Sequence, residues 1–584
     1  MKFLCLAGFL RLRAPLAAFL AGLLLLNLGL LPQRAAGAWR EPVRARNAIV
    51  ASQHELASKA GVAVMKRGGN AVDAAIAVAL ALAVVYPEAG NIGGGGFMLI
   101  RFADGRTHAI DYREMAPQAA HRDIFLNDKG ELIRGEGGSE IGYRASGVPG
   151  TPAGLELAFQ KFASKKIPWR DLVEPARGLA QNGCVLSNRL AELFYSYRES
   201  LEKYEDSKRI FLNNGSYYKE GDVLRQPDLA KTLARLQRFG AADFYSGQTA
   251  KLIAEDMKRN NGLITLADLG NYRAVEREPL RGSYRGHEVI SMPPPSSGGI
   301  VMLQVLNMLE KQNMSKMGFN SSQRYHLVAE AMRRAFADRA AYMGDPDFAN
   351  VPTARLTDKS YALKRAESIN PTQASKSSDV GAGEVTFSEG MDTTHFTVVD
   401  PAGNAVTNTY TINDLYGSAV TIKGTGILMN DEMDDFAARP GKPNMFGLVQ
   451  GENNSVQPKK RPLSSMTPTI VLRKDGKFWF ALGARGGPRI ISAVTQSVLN
   501  VIDHGMNIQA AIDAPRVHHQ WYPDELLWEP FGLSPDSAAL LSGFGHKLAE
   551  RPINIASATG IMVNDEGVRL GAIDSRSDGE AIGY

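Results

Sequence analysis

Asp392-Thr393-Thr394-His395-Phe396-Thr397-Val398-Val399-Asp400 is the stretch on which the reading of this 584-residue chain turns. From Thr394 to Val399 it is rich in β-branched and aromatic residues and reads as a strand. The segment before it, Gly381 to Met391, is small and polar. Thr393 stands at the junction. A cut before Thr393 would give one residue both a hydroxyl nucleophile and, in its own α-amino group, a base of pKa about 8. Thr-Thr at a strand start is also an ordinary β-propensity choice, so the neighbouring sequence has to decide its meaning.

The turn Asp400-Pro401-Ala402-Gly403-Asn404 folds this strand back on the next. Centred on Ala402, the hairpin opposes Val398 to Val406 and, continued, Thr393 to Thr411. Cross-strand neighbours lie about 5 Å apart, so the second hydroxyl can orient the first. Asn413, two residues further, projects from the same face. Two more hairpins follow, at Lys474-Asp475-Gly476-Lys477 and Asn564-Asp565-Glu566-Gly567. Gly486-Gly487-Pro488 opens a helix over about Arg489 to Asp503. Backbone N–H groups at Gly486 and Gly487 would suit an oxyanion, or simply a tight turn.

Upstream, Ser52-Gln53-His54-Glu55 has the capping-box pattern and predicts a helix from about Ser52 to Arg67. Ala71 to Val85 is apolar on all sides and predicts a fully buried helix. Asn91-Ile92-Gly93-Gly94-Gly95-Gly96 precedes a strand, which is the wrong order for a phosphate loop, and reads as close backbone packing. Arg113 ends the following hairpin, placed either to pair with Glu114 or Asp111 at the surface or to present its fork to a carboxylate. Gly150 to about Ile369 reads as mainly helical, with Pro293 to Gly299 as one break and Tyr325 to Tyr342 as an outer amphipathic helix. Thr372 to Met391 has the composition of a mobile linker. Strands inside and helices outside predict a four-layer αββα sandwich with a mainly helical outer region.

Residues 1–38 read as an export signal: Lys2, Arg11 and Arg13, an apolar run from Ala14 to Leu31, then Ala36-Gly37-Ala38. A retained anchor is the alternative for a run this long. Lys2, Arg11, Arg13 and Arg34 and no acids lie in that segment, so its loss takes the net charge from +5 to +1. The basic balance therefore makes no case for nucleic acid. Of the two cysteines, Cys5 falls in the signal and Cys184 reads as a buried small residue, so no intrachain disulfide is expected after cleavage. His518-His519 point to opposite sides of an extended chain, and no Cys or His cluster has ligand spacing, so no metal site is expected. Asp434-Asp435 would suit an ammonium and Ser464-Ser465 a carboxylate.

Several motifs resemble those of the bacterial γ-glutamyltransferases, over about Ala48 to Tyr584. They are Gly68-Gly69-Asn70-Ala71-Val72-Asp73-Ala74-Ala75, Gly90 to Phe97, Tyr112 to Pro117, Met292 to Gly299, Thr393-Thr394-His395, Met433-Asp434-Asp435-Phe436 and Arg461 to Met466. The resemblance implies an N-terminal-nucleophile hydrolase fold made as one precursor. That precursor cuts itself between Asp392 and Thr393 into a large subunit (39–392) and a small one (393–584) that stay together as a heterodimer. It implies Thr393 as nucleophile and Thr411 as its orienting partner. Arg113, Ser464 and Ser465 would hold the α-carboxylate of a γ-glutamyl group, Asn413, Glu432 and Asp435 its α-amino group, and Gly486 and Gly487 the oxyanion. Implied substrates are glutathione and other γ-glutamyl compounds, with water, amino acids or short peptides as acceptors and no cofactor. Export through the signal at 1–38 is expected to make the protein periplasmic or secreted, with no membrane attachment after signal cleavage.

Pro440 to Pro458 resembles the family's lid loop, with Phe446 where a tyrosine is common. Gly483-Ala484-Arg485-Gly486-Gly487 departs from the Gly-Ser-Pro-Gly-Gly of some relatives. A cephalosporin or glutaryl acylase of the same fold is the nearest alternative, and Asn413 and Asp435 argue against it. An inactive exported binding protein would need a broken nucleophile or oxyanion site, and no such break is visible.

Overall fold

Two seven-stranded antiparallel sheets face each other at the centre of the molecule. The computed structural model describes residues 40–381, 392–438 and 451–584. The first sheet runs Glu580–Gly583, Ile49–Ser52, Asp392–Val399, Ala405–Asn413, Gly95–Arg101, Thr107–Asp111, Val275–Arg277. The second runs Val43–Ala45, Arg569–Ile573, Ser557–Val563, Phe478–Arg485, Thr469–Leu472, His287–Ser291, Leu280–Tyr284. Helices Glu55–Lys66, Ala71–Val85 and Trp169–Asn182 belong to the core on one side. Gly298–Leu309, Ser322–Tyr342 and Arg489–His504 belong to the core on the other. This is the expected four-layer αββα sandwich.

The period-2 alternation of a strand explains how one sequence serves two layers. Phe396 and Val398 pack in the core that contains helix Ala71–Val85. His395 and Thr397 turn the other way, into the space between the sheets. There His395 Nδ1 meets Thr409 Oγ1 at 2.8 Å and Nε2 meets Thr397 and Thr407 Oγ1, each at 3.1 Å. Gly483 of the opposite sheet makes room for this ring, since a Cβ there would lie 2.4 Å from His395 Cε1. Burial holds the His395 imidazole neutral, its pKa pushed down to about 3.

All three hairpins form where their turns place them. Helix Ala71–Val85 is buried at every position, and its start is fixed by a capping box between Asn70 and Asp73. The predicted box at Ser52 does not form. Ser52 ends a strand, the helix begins at Glu55, and His54 Nδ1 accepts the Leu56 N–H. Among the strands inside the supposed helical region, the hairpin of Leu280–Tyr284 and His287–Ser291 escaped the sequence reading. Their signal is the Arg285-Gly286 turn, where both residues have positive φ.

Helix Ser322–Tyr342 packs in an outer layer as expected, but it is buried on all sides rather than amphipathic. Arg324, Glu330, Arg333, Arg334 and Arg339 are all buried along it. Glu330 pairs with Arg333 and Arg334, and Ser375 donates to it at 2.6 Å. Nor is Thr372 to Gly381 a mobile linker. Ser377 is buried, its N–H reaches Asp524 Oδ2 at 2.7 Å, and Trp521 Nε1–H donates to its carbonyl at 2.9 Å. The rest of that predicted linker, 382–391, lies outside the described residues, as do the predicted signal 1–38 and Phe446. Among the described residues no helix is long and apolar enough to cross a membrane. Cys184 is buried as expected, and burial pushes its thiol up to about 11.

Candidate active site

The predicted register holds along the hairpin from Val399 to Thr394 and then slips. Thr394 pairs with Tyr410, but Asp392 pairs with Asn413, so Thr393 stands opposite a bulge in which two residues, Thr411 and Ile412, face it. The Thr393 hydroxyl still donates to Thr411 Oγ1, at 3.4 Å. Asn413 takes a left-handed φ of 76° at the bulge, and its N–H donates to Thr411 Oγ1 at 2.8 Å. Thr411 is therefore held from two sides.

The Gly90–Gly96 turn locks this strand from behind. Asn91 Nδ2 donates to the Thr411 carbonyl at 2.9 Å while Asn91 Oδ1 accepts the Gly94 N–H and the Thr151 hydroxyl, both at 2.9 Å. A Cβ on Gly94 would fall 2.0 Å from the Thr411 carbonyl oxygen. Close backbone approach is thus what these glycines provide.

One pocket gathers Thr393, Thr411, Asn413, Arg113, Glu432, Asp435, Ser464, Ser465 and Gly487, with Met466 and Ile490 as apolar lining. Nine of the ten residues expected of the nucleophile, oxyanion and head-group sites meet there. Gly486 lines the adjoining cavity instead. Gly486 (φ 128°) and Gly487 (φ 57°) both occupy backbone conformations that favour glycine. They lead into helix Arg489–His504 through Pro488.

Arg113 does not pair at the surface. It is 1% exposed and its two terminal nitrogens hold Glu432 and Asp435, with Glu114 at 3.6 Å. Asp111 pairs with Arg277 at 2.7 Å, and its other oxygen accepts the Arg113 backbone N–H at 3.0 Å. The residues that the resemblance assigns to carboxylate and to ammonium recognition are therefore in contact with each other. Burial raises the carboxyls of Glu114, to about 7, and of Glu432, and Arg113 opposes the rise in both. Glu114 was read only as a surface partner, and its role in this cluster is not legible from its position next to Arg113.

Ser464 is positioned by the Pro293–Gly299 segment, read from sequence as a break in the helical region and as one of the motifs of the family resemblance. Its N–H donates to the Pro295 carbonyl at 2.9 Å, and its carbonyl accepts the Ser297 N–H at 2.7 Å. Asp434 does not join the pocket and instead accepts from Ser139 Oγ at 2.6 Å. Asp431, missed in the sequence, holds Asn413: its carbonyl accepts from Nδ2 at 3.2 Å. His518 and His519 face different partners, His518 meeting Ser492 Oγ at 2.7 Å and His519 meeting Asp524 at 3.3 Å.

The family model described as Gamma-glutamyltranspeptidase matches residues 57–584. The "Glutathione hydrolase proenzyme" of Escherichia coli K12 is 49% identical over 545 residues, covering 93% of each chain. Among solved structures, the cephalosporin acylase from Bacillus halodurans superposes with a TM-score of 0.80 at 26% identity, covering 95% of this chain and 99% of that one. Helicobacter pylori gamma-glutamyltranspeptidase superposes with a TM-score of 0.56 at 47% identity, covering 57% of this chain and 94% of that one.

Proposed function

The chain belongs to the γ-glutamyltranspeptidase family, and from that premise we propose that Thr393 is both the point at which it cuts itself and the nucleophile with which it then works. It is a self-processing γ-glutamyltransferase and glutathione hydrolase. The observation that carries the residue assignment is the Thr393–Thr411 hydroxyl contact inside a pocket whose other polar walls are complementary to an amino-acid head group.

In maturation, Thr393 Oγ attacks the carbonyl carbon of Asp392. The peptide nitrogen becomes the new α-amino group, and water hydrolyses the resulting ester to leave Asp392 as a carboxylate. In turnover, the same oxygen adds to the γ-carbonyl of glutathione while the α-amino group takes its proton. The tetrahedral oxyanion lies at the N–H groups of Gly486 and Gly487. Collapse expels cysteinylglycine, whose amine takes up the proton, and water or an acceptor amine then releases the γ-glutamyl ester. Nothing in this sequence calls for a cofactor.

The head group is a zwitterion, and the site holds charges of the same two signs, Arg113 against Glu432 and Asp435. Its carboxylate would take the Arg113 fork together with Ser464 and Ser465, and its ammonium would take Asp435, Glu432 and the Asn413 amide oxygen. The contacts of Arg113 with Glu432 and Asp435 are exchanged for contacts across the interface, and Arg113 is already buried, so the cost of desolvating it has already been met in the folded protein. This complementarity to an ammonium favours γ-glutamyl over glutaryl donors.

The cut would give subunits 39–392 and 393–584 that do not separate. Strand Ile49–Ser52 of the first lies between two strands of the second, Glu580–Gly583 and the part of Asp392–Val399 that follows the cut, and both sheets contain strands from both parts. Removal of 1–38 as an export signal would place the protein in the periplasm or outside the cell.

The test is a denaturing gel of the purified protein beside release of a γ-glutamyl anilide, with and without glycylglycine. Two fragments and release stimulated by the acceptor are expected. Thr393→Ala should stay one uncut, inactive chain; two subunits from that variant would sink the assignment.

A further inference from the structure

A second cavity adjoins the pocket of Thr393 across the Gly486–Gly487 peptide, and its chemistry is different. Gly487 lines the first and Gly486 the second. Four guanidinium groups line the second, those of Arg189, Arg485, Arg489 and Arg576, and no carboxylate is among its described lining residues. Arg189 and Arg576 are held by acids set behind them. Arg189 meets the buried Glu88 at 2.9 Å, and Arg576 meets Asp574 at 2.7 Å and Glu529 at 2.6 Å. Arg489 Nε–H reaches the Gly486 carbonyl at 3.4 Å, and the Arg485 guanidinium lies 5.7 Å from the centre of the Tyr86 ring. Ser557, cross-strand partner of Arg485, is 3% exposed and lines the same cavity. Its hydroxyl has no hydrogen-bond partner among the described residues. A buried hydroxyl without a partner costs free energy unless a ligand or water supplies one.

We propose that this cavity is a carboxylate-binding subsite on the leaving-group side of the reaction, in which Arg485 and Ser557 select donors and acceptors that carry a C-terminal carboxylate. The proposal rests on the reading of Thr393 as the acyl-accepting hydroxyl. In glutathione the free carboxylate of the cysteinylglycine portion lies two residues beyond the scissile carbonyl, at most about 7 Å along an extended chain. Gly486 is one residue from Gly487, about 3.8 Å between Cα atoms, so a donor seated at Thr393 with its γ-carbonyl at Gly487 can extend past Gly486 into the arginines. The same carboxylate position would be filled by a dipeptide acceptor in the second half-reaction. Arginine suits the task because its planar fork stays charged at any working pH and binds a carboxylate bidentately.

The test compares glutathione with glutathione whose glycine carboxylate is amidated, both as donors to water. A γ-glutamyl anilide, which has no carboxylate on the leaving side, serves as the third donor. The wild-type protein should prefer the acid over the amide by roughly 10- to 100-fold in kcat/KM. Arg485→Gln should bring that ratio to within about threefold of unity, Arg485→Lys should retain part of it, and Ser557→Ala should lower it. Glycylglycine against glycylglycinamide, with the anilide as donor, reads the acceptor side separately. A wild-type ratio near one on both sides overturns the proposal without recourse to any variant. So does an Arg485→Gln protein that loses acid and amide in equal measure, the mark of a merely structural arginine. If the wild-type protein releases nothing even from the anilide, it is the reading of Thr393 that has failed.

Discussion

The hydroxyls of Thr393 and Thr411 meet at 3.4 Å at the one point where their hairpin slips register. Had the ladder continued, Thr393 would be an ordinary paired strand residue. The extra residue on the facing strand breaks the pairing at Thr393 while leaving its side chain against Thr411, which is what a residue needs if its own peptide bond is to be attacked.

Thr411 accepts both the Thr393 hydroxyl and the Asn413 N–H, the latter at 2.8 Å. Thr411→Val keeps the volume and removes the acceptor, leaving a buried N–H unpaired at a cost of about 1–3 kcal/mol. Self-cleavage and anilide turnover should both slow by roughly 5- to 100-fold, whereas Thr411→Ser should stay near the wild-type rate. Time courses of cleavage on gels, with kcat from the mature fraction, decide it; a fully active valine variant would remove Thr411 from the account.

Gly94→Ala tests the same strand from behind. Its Cβ would sit 2.0 Å from the Thr411 carbonyl oxygen, far inside contact distance, so one of the two backbones must move. Overpacking of this kind costs about 1–3 kcal/mol. The displacement falls on Thr411, so slow or absent cleavage should accompany a lowered melting temperature. A variant that melts lower yet cuts at the wild-type rate would show that the strand absorbs the shift elsewhere.

How much of this was legible follows the range of the interactions. The turn at Asp400–Asn404 and the alternation after Thr394 are local, and they place Thr411 opposite Thr393 without help from the rest of the fold. The bulge is not local in that sense, because Asp392 pairs with Asn413 only once Asn413 takes its left-handed φ. Contacts between distant segments left still less trace. Arg113 meets Glu432 across 319 residues, and its neighbour Glu114, read as a surface partner, is fully buried. Composition misled most at Thr372 to Gly381, where small polar residues suggested looseness. Those residues are polar because they satisfy Glu330, Arg333 and Asp524. Strand Leu280–Tyr284 hid for the opposite reason, being an edge strand with polar residues and a glycine.

Donor binding should depend on pH through Glu114. Burial raises its carboxyl to about 7, so it takes a proton as the solution falls below neutrality and the cluster around Arg113 becomes less negative. An ammonium is then held more weakly. With one group governing, KM for glutathione should rise about tenfold from pH 8 to pH 6, with kcat changing less. Glu114→Gln should flatten this profile; an unchanged slope in that variant would place the titrating group elsewhere.

Buried histidines should make stability fall in acid. Burial lowers the imidazoles of His395, His518 and His546 to about 3 each, from an unfolded value near 6.5. Between those limits the unfolded chain takes up protons that the folded one refuses, so each group costs about 1.4 kcal/mol of stability per pH unit as pH falls from 6.5. Glu114 and Asp434 work in the opposite sense, because carboxyls raised to about 7 stabilise the fold below neutrality and lose that contribution as pH rises through 7. The net slope is therefore a difference, and a single substitution isolates one part of it. His518 is a suitable choice, since its ring lies against Ser492 and Gln520 and outside the pocket of Thr393. In His518→Gln the proton uptake on unfolding, taken from the pH dependence of urea stability between pH 4 and 6, should be about one proton smaller than in the wild type. Equal uptake in the two proteins would mean that His518 is already charged in the fold, and that Ser492 and Gln520 hold an imidazolium.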